Sequence, residues 1–224
     1  MKKAIAILLS LTMILGLAAC GNSASQTEQP STEDTSVESK ADTESAENGT
    51  DMENTDNQDV QNHKALVAYF SATGTTKGVA EHIANGLNAD IYEIVPEDPY
   101  TDADLNYNDN NSRTTIEMND PNARPAISGS VENMEQYDII FVGYPIWWGE
   151  APRIVSTFME SYDFSGKTIV PFCTSGGSGI GSSASNLERL TSGATWLDGR
   201  RLNGSDSQDT VMEWVNSLDL NLAE

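Results

Sequence analysis

Ser71-Ala72-Thr73-Gly74-Thr75-Thr76 follows an apolar run, Ala65 to Phe70, and precedes a helical pattern in Val79, Ile83 and Leu87. Hydroxyl side chains and a glycine therefore stand where a strand becomes a helix. The first backbone N–H groups of a helix have no partner within it, and the helix dipole is positive there. Such a terminus holds a phosphate through amides and hydroxyls, without a lysine. The nearest match to a nucleotide-triphosphate loop is Gly166-Lys167-Thr168, but Ser161 occupies the position of the leading glycine and the segment precedes a strand. That pattern needs the opposite order.

Two more loops carry suitable chemistry. Tyr144-Pro145-Ile146-Trp147-Trp148-Gly149 offers broad aromatic faces for stacking and backbone amides for the polar edge of a planar ring. Thr174-Ser175-Gly176-Gly177-Ser178-Gly179 has three glycines that permit close backbone approach. Hydrolytic and transition-metal chemistry are disfavoured, because the histidines are His63 and His82 alone and no Gly-x-Ser-x-Gly elbow occurs. No catalytic side chain and no metal site are expected. Cys173 ends an apolar run and is read as a packing residue.

The elements that must position these loops are legible as short, continuous apolar runs at Ala65 to Phe70, Ile91 to Val95, Ile139 to Gly143, Thr168 to Cys173 and Ala194 to Leu197. Strands buried on both faces read this way. Between them lie helical patterns: Val79, Ile83 and Leu87; Ile154, Val155, Phe158 and Met159 behind Pro152; Ile180 to Leu190; and Asp209 to Leu218. The alternation predicts an α/β fold, a doubly wound three-layer sandwich around a five-stranded parallel sheet. Pro96 to Gly129, rich in Asp, Asn, Pro and Tyr, is too long for an ordinary connection and reads as an insertion.

The first loop, after the first strand of such a sheet, resembles the flavin mononucleotide (FMN) loop of the flavodoxin family, and the other two loops follow in the family's order. The resemblance spans Lys64 to about Leu220. It implies strand order 2-1-3-4-5 and FMN as cofactor. By position, Ser71, Thr73, Gly74, Thr75 and Thr76 would hold the phosphate, Pro145, Ile146, Trp147, Trp148 and Gly149 one side of the ring, and Thr174, Ser175, Gly176 and Gly177 its pyrimidine edge. The sequence departs from the pattern of small electron carriers in having no aromatic residue from Thr174 to Gly181. The outer ring face is then either open or covered by Tyr100 or Tyr107 from the insertion. The implied function is FMN-dependent electron transfer. The alternatives are a reductase passing electrons from a reduced nicotinamide or quinol to a quinone or other acceptor, and a non-catalytic flavin-binding module.

Residues 1–19 read as a signal peptide: Lys2 and Lys3, an apolar stretch from Ala4 to Leu17, then Leu17-Ala18-Ala19-Cys20. This resembles a bacterial lipoprotein signal, in which Cys20 is lipidated after cleavage and anchors the chain in the membrane on its extracytoplasmic face. The 42 residues from Gly21 to Asn62 are polar and acidic, unable to bury enough surface to offset ordering, and form a tether with a reach of roughly 35 Å. The domain then runs over 63–224, with 96–129 as its insertion. Formal net charge is −22. Without Lys2 and Lys3 it is −24, and the tether's 11 acids against one lysine leave the domain near −14. Nucleic acid is an improbable partner for such a surface, whereas redox partners with cationic surfaces, or membrane quinones, suit it.

Overall fold

The computed structural model describes residues 63–220. The signal, Cys20, the tether and the last four residues lie outside them. In chain order the elements are β1 (Ala65–Tyr69), α1 (Thr75–Leu87), β2 (Asp90–Glu93), β3 (Val95–Pro96), α2 (Arg113–Asn119) and β4 (Ile127–Ser128). There follow β5 (Ile139–Pro145), α3 (Arg153–Glu160), β6 (Thr168–Thr174), α4 (Ser183–Glu188), β7 (Thr195–Trp196), β8 (Arg200–Leu202) and α5 (Gln208–Asn216). No described helix is long and apolar enough to cross a membrane.

The main sheet is parallel, in the order β2-β1-β5-β6-β7, and β8 also pairs with β6. Counted along the sheet this is the expected order 2-1-3-4-5. Strand residues alternate between two cores. Leu66, Ala68, Ile140 and Val142 pack with Ile154, Val155 and Phe158 of α3 and Leu187 of α4. Val67, Tyr69, Phe141 and Val170 pack with Val79, Ala80 and Ile83 of α1 and with Val211, Trp214 and Val215 of α5. Both faces of β1 and β5 are covered, which is why those strands are apolar at nearly every position.

Helix ends have local causes. α1 begins after Gly74 and stops at Asn88, both in the left-handed region. α5 begins where the Ser207 side chain accepts from the Thr210 amide. The expected helices Ile180 to Leu190 and Asp209 to Leu218 are realised as Ser183–Glu188 and Gln208–Asn216.

The edge strands differ from expectation. The run Ile91 to Val95 does not continue as one strand: the Ile94 amide makes the last rung, to the Tyr69 carbonyl at 2.7 Å, and Val95–Pro96 turns away to pair with Ile127–Ser128. Pro96 has no N–H to extend a ladder. The outer position, expected as Ala194 to Leu197, is shared by β7 and β8, interrupted at Asp198-Gly199. A Cβ on Gly199 would lie 2.8 Å from the Pro171 carbonyl oxygen, so the chain crosses β6 closely there.

The segment from Pro96 to Gly129 is structured by its own contacts. Antiparallel β3 and β4 clasp its base. Ser112 caps α2 by accepting from the Thr115 amide. Arg113 donates to Glu117 (2.6 Å) and to the Asp98 carbonyl (2.7 Å), with its guanidinium 4.1 Å from the centre of the Tyr100 ring. Arg124 ties the segment to α3 by two bonds of 2.7 Å to Glu160.

Candidate functional site

At the end of β1 the Phe70 amide bonds the Gly143 carbonyl (2.9 Å), and the chain leaves the sheet at Ser71. Gly74 takes φ +84° as the residue before α1. An added Cβ there would meet nothing within 4 Å, so glycine is required by conformation, which costs about 1–2 kcal/mol for other residues, and not by crowding. No side chain caps α1 among the described residues, so its leading amides have no side-chain partner there. Thr76 and Thr174 are 1% and 3% exposed, and their hydroxyls bond each other at 2.8 Å, fastening the helix start to the end of β6. Thr73 and Thr75 are exposed, with hydroxyls 3.4 Å apart. The Ser71 Oγ is buried and has no hydrogen-bond partner among the described residues. A buried hydroxyl left unpaired is costly, and an arriving oxyanion is what it lacks.

After β5, Trp148 (φ +49°) and Gly149 (φ +81°) form a two-residue turn closed by paired bonds between the backbones of Trp147 and Glu150, each 2.9 Å. Positive φ at both central positions is the geometry that favours Asn-Gly. A tryptophan there stores strain on the order of 1 kcal/mol. The turn is held by Glu150, which accepts from Ser182 Oγ (3.0 Å) and Asn186 Nδ2 (2.8 Å), and by the Ile146 amide on the Thr174 carbonyl (2.9 Å). The two tryptophans have different fates. Trp147 packs edge-on against Phe70 (5.5 Å) and Tyr100 (5.4 Å), while Trp148 is 47% exposed.

In the loop after β6, Ser175 Oγ accepts from the Gly177 amide (3.2 Å) and donates to the Ser178 carbonyl. Gly176, Gly177 and Gly179 have open space on the side a Cβ would take. Arg201 of β8 donates to the Ser175 carbonyl (3.2 Å) and to Asn203 (2.9 Å), and its Nε is buried without a partner. Among the described residues no carboxylate lies within ion-pair distance of this guanidinium. Cys173, beside it in the ladder, is buried, and burial pushes its thiol up to about 11, with Arg201 pulling weakly the other way. Burial likewise raises the Tyr144 phenol, whose hydroxyl bonds Ser183 at 3.0 Å.

A cleft of about 250 Å³ lies between the first two of these loops and the insertion. Of the residues singled out from sequence, Ser71, Thr73, Thr76, Pro145, Trp147 and Trp148 line it. Thr174 is joined to it through Thr76. Gly74, Thr75, Ile146, Gly149, Ser175, Gly176 and Gly177 do not line it. Leu105, Tyr107 and Thr114 form its remaining wall together with Ala72. Tyr107 was marked by its aromatic type, and Leu105 and Thr114 were not. The sole signal for them was the cap-like spacing Ser112 to Thr115, which announces an ordered helix where the composition suggests a loop.

A sequence model of the Flavodoxin family matches residues 64–218. None of the curated proteins compared matches the chain. Among solved structures, a protein from Bacteroides eggerthii assigned as a flavoprotein is 48% identical, with TM-score 0.67, over 71% of this chain and 99% of that one. A second, from Bacteroides uniformis, is 46% identical, with TM-score 0.66, over 70% and 99%. A flavoprotein from Lactobacillus acidophilus solved in complex with FMN is 23% identical, with TM-score 0.52, over 68% and 99%.

Proposed function

The chain belongs to the flavodoxin family, and from that premise we propose that residues 63–220 bind FMN and carry electrons on the outer side of a membrane, to which lipid on Cys20 tethers them. The observation that carries the proposal is a coincidence in one place. An uncapped α1 terminus, the unpaired buried Ser71 hydroxyl and the exposed Trp148 ring share one cleft. Bound FMN supplies one- and two-electron redox chemistry, and the protein supplies binding and electrostatics.

The residues present fit that group. Amides at the start of α1 and hydroxyls of Ser71, Thr73, Thr75 and Thr76 would take a phosphate monoester without any basic side chain. Gly74 keeps the backbone approach free. Trp148 would stack on the ring, with Pro145, Ile146 and Gly149 shaping the turn that presents it, and Trp147 holding that turn to Phe70. Thr174, Ser175, Gly176 and Gly177 would meet the pyrimidine edge with backbone groups. The acidic surface suits partners that are cationic or are neutral membrane quinones.

One observation favours the reductase reading: the open glycines at 176, 177 and 179 leave that side of the site accessible to a second substrate. Titration of the purified domain with FMN, followed by anaerobic addition of NADH or a quinol, tests both. Stoichiometric quenching of flavin fluorescence, weakened by Thr73→Ala and Gly74→Val, is expected. Rapid bleaching by NADH would select the reductase, and absence of flavin binding would leave a binding module for another ligand. Release of Cys20→Ser protein from the membrane fraction tests the anchor.

A further inference from the structure

We infer that Gly204, in the loop between β8 and α5, is a positioning residue that sets the rotamer of Thr75 and so aims the Thr75 hydroxyl at the phosphate. This rests on the FMN reading. A Cβ added at Gly204 would lie 2.6 Å from Cγ2 of Thr75 and 3.7 Å from its Cβ. Gly204 does not share the positive φ of Gly74, so crowding and not conformation demands glycine there. The Thr75 methyl fills the place that a side chain at this position would take. The Thr75 hydroxyl stands instead 3.4 Å from that of Thr73, a residue that lines the cleft.

The stereochemistry of threonine makes the consequence specific. Methyl, hydroxyl and hydrogen occupy the three staggered places on its Cβ, and a β-branched side chain has little freedom between them. A methyl group at position 204 is cleared only when the Thr75 hydrogen takes the crowded place, and the fixed handedness of that Cβ then puts the Thr75 methyl where its hydroxyl now stands. The loop is braced against retreat. The Asn203 amide donates to the Asp206 carboxylate (2.8 Å), the Asp206 amide donates to the Asn203 carbonyl (3.0 Å), and Arg201 donates to the Asn203 side chain (2.9 Å). Leu202, just before the loop, is buried in the core that joins α1 to α5.

The test is binding of FMN and of riboflavin, which lacks the phosphate, to the full chain as wild type, Gly204→Ala, Thr75→Val, Thr75→Ser and the double variant Gly204→Ala with Thr75→Ser. Gly204→Ala and Thr75→Val should each weaken FMN by about tenfold, the low end for a hydrogen bond to a charged acceptor, and leave riboflavin unchanged. Thr75→Ser should bind FMN as wild type does. The double variant should regain most of that affinity, because serine has no methyl to displace and keeps its hydroxyl in place, a rescue that a merely structural loss would not show. Gly204→Ala or Thr75→Val that binds FMN as tightly as wild type, Gly204→Ala that weakens both flavins alike, or a double variant no better than Gly204→Ala overturns the positioning role and leaves FMN binding intact. Wild type that binds neither flavin overturns the FMN reading, and the positioning role with it.

Discussion

Replacing Ser71 by alanine should move two properties in opposite directions. In the flavin-free protein the Ser71 hydroxyl is buried with no partner among the described residues, a condition that costs about 1–3 kcal/mol. Removing it should therefore stabilise the fold by about 1 kcal/mol, a rise in Tm of about 2–4 °C for a domain of this size. With the phosphate bound, the same hydroxyl donates to a charged acceptor, a bond worth about 1.5–3 kcal/mol. Its loss should weaken FMN about 10- to 100-fold. Riboflavin binding should be unchanged. Thermal unfolding without flavin and fluorescence titrations with both flavins measure all three quantities. Ser71→Ala protein that melts earlier than wild type, or that binds FMN equally well, would refute the assignment of that hydroxyl to the phosphate.

Four other outcomes are expected. Thr76→Val leaves the buried Thr174 hydroxyl unpaired and should cost about 1–3 kcal/mol in urea unfolding, whereas Thr76→Val with Thr174→Val should recover most of it, because removing both partners is nearly neutral. Arg201→Gln removes a positive charge that is held on the Ser175 carbonyl and has no ion-pair partner among the described residues, and should lower the midpoint potential of bound flavin by ~30 mV, about 1.4 kcal/mol for a two-electron couple, with Arg201→Lys retaining most of the potential. The Cys173 thiol, held up to about 11, keeps its proton in the folded state after the unfolded chain has lost it. Stability should fall between pH 9 and 11 by at most about 1.4 kcal/mol per unit, and Cys173→Ala should flatten that slope. Gly143→Ala would place a Cβ 2.2 Å from the Phe172 ring, so unfolding should show a loss of about 1–3 kcal/mol that Phe172→Leu partly restores.

The central sheet was legible because β1, β5 and β6 are buried on both faces and so are written as continuous apolar runs. The edges were not, because pairing there depends on single residues. Pro96 ends β2's neighbourhood by lacking a donor, and Gly199 divides the outer strand by its close passage over Pro171. The strand-to-helix switch at Ser71 to Thr76 was legible for the same reason as β1, because both flanking patterns announce it. The tryptophan pair was half legible. Residue type gives two stacking faces, but only the backbone shows that φ +49° sends Trp148 outward while Trp147 turns in upon Phe70 and Tyr100. Of the cleft wall from the insertion only Tyr107 was legible, by residue type; Leu105 and Thr114 were hidden because Asp- and Asn-rich sequence reads as loop, and its order comes from side-chain to backbone bonds of Arg113, Thr114 and Ser112.

These differences divide the site into a rigid end and an open end. The helix-start end is fastened by the buried, bonded pair of Thr76 and Thr174 hydroxyls, so little conformational freedom would remain to be lost there on binding a phosphate as proposed. The ring end consists of an exposed tryptophan in a strained turn, an exposed tyrosine and a run of glycines with open space around them. On the FMN reading, affinity would be concentrated where charge meets preformed donors, and the ring would be left to adapt. On the proposed reading of an exported, lipid-anchored chain that acquires its cofactor after folding, the phosphate would dock first on structure that already exists. On the same reading the ring would lie near the surface, beside the exposed Trp148.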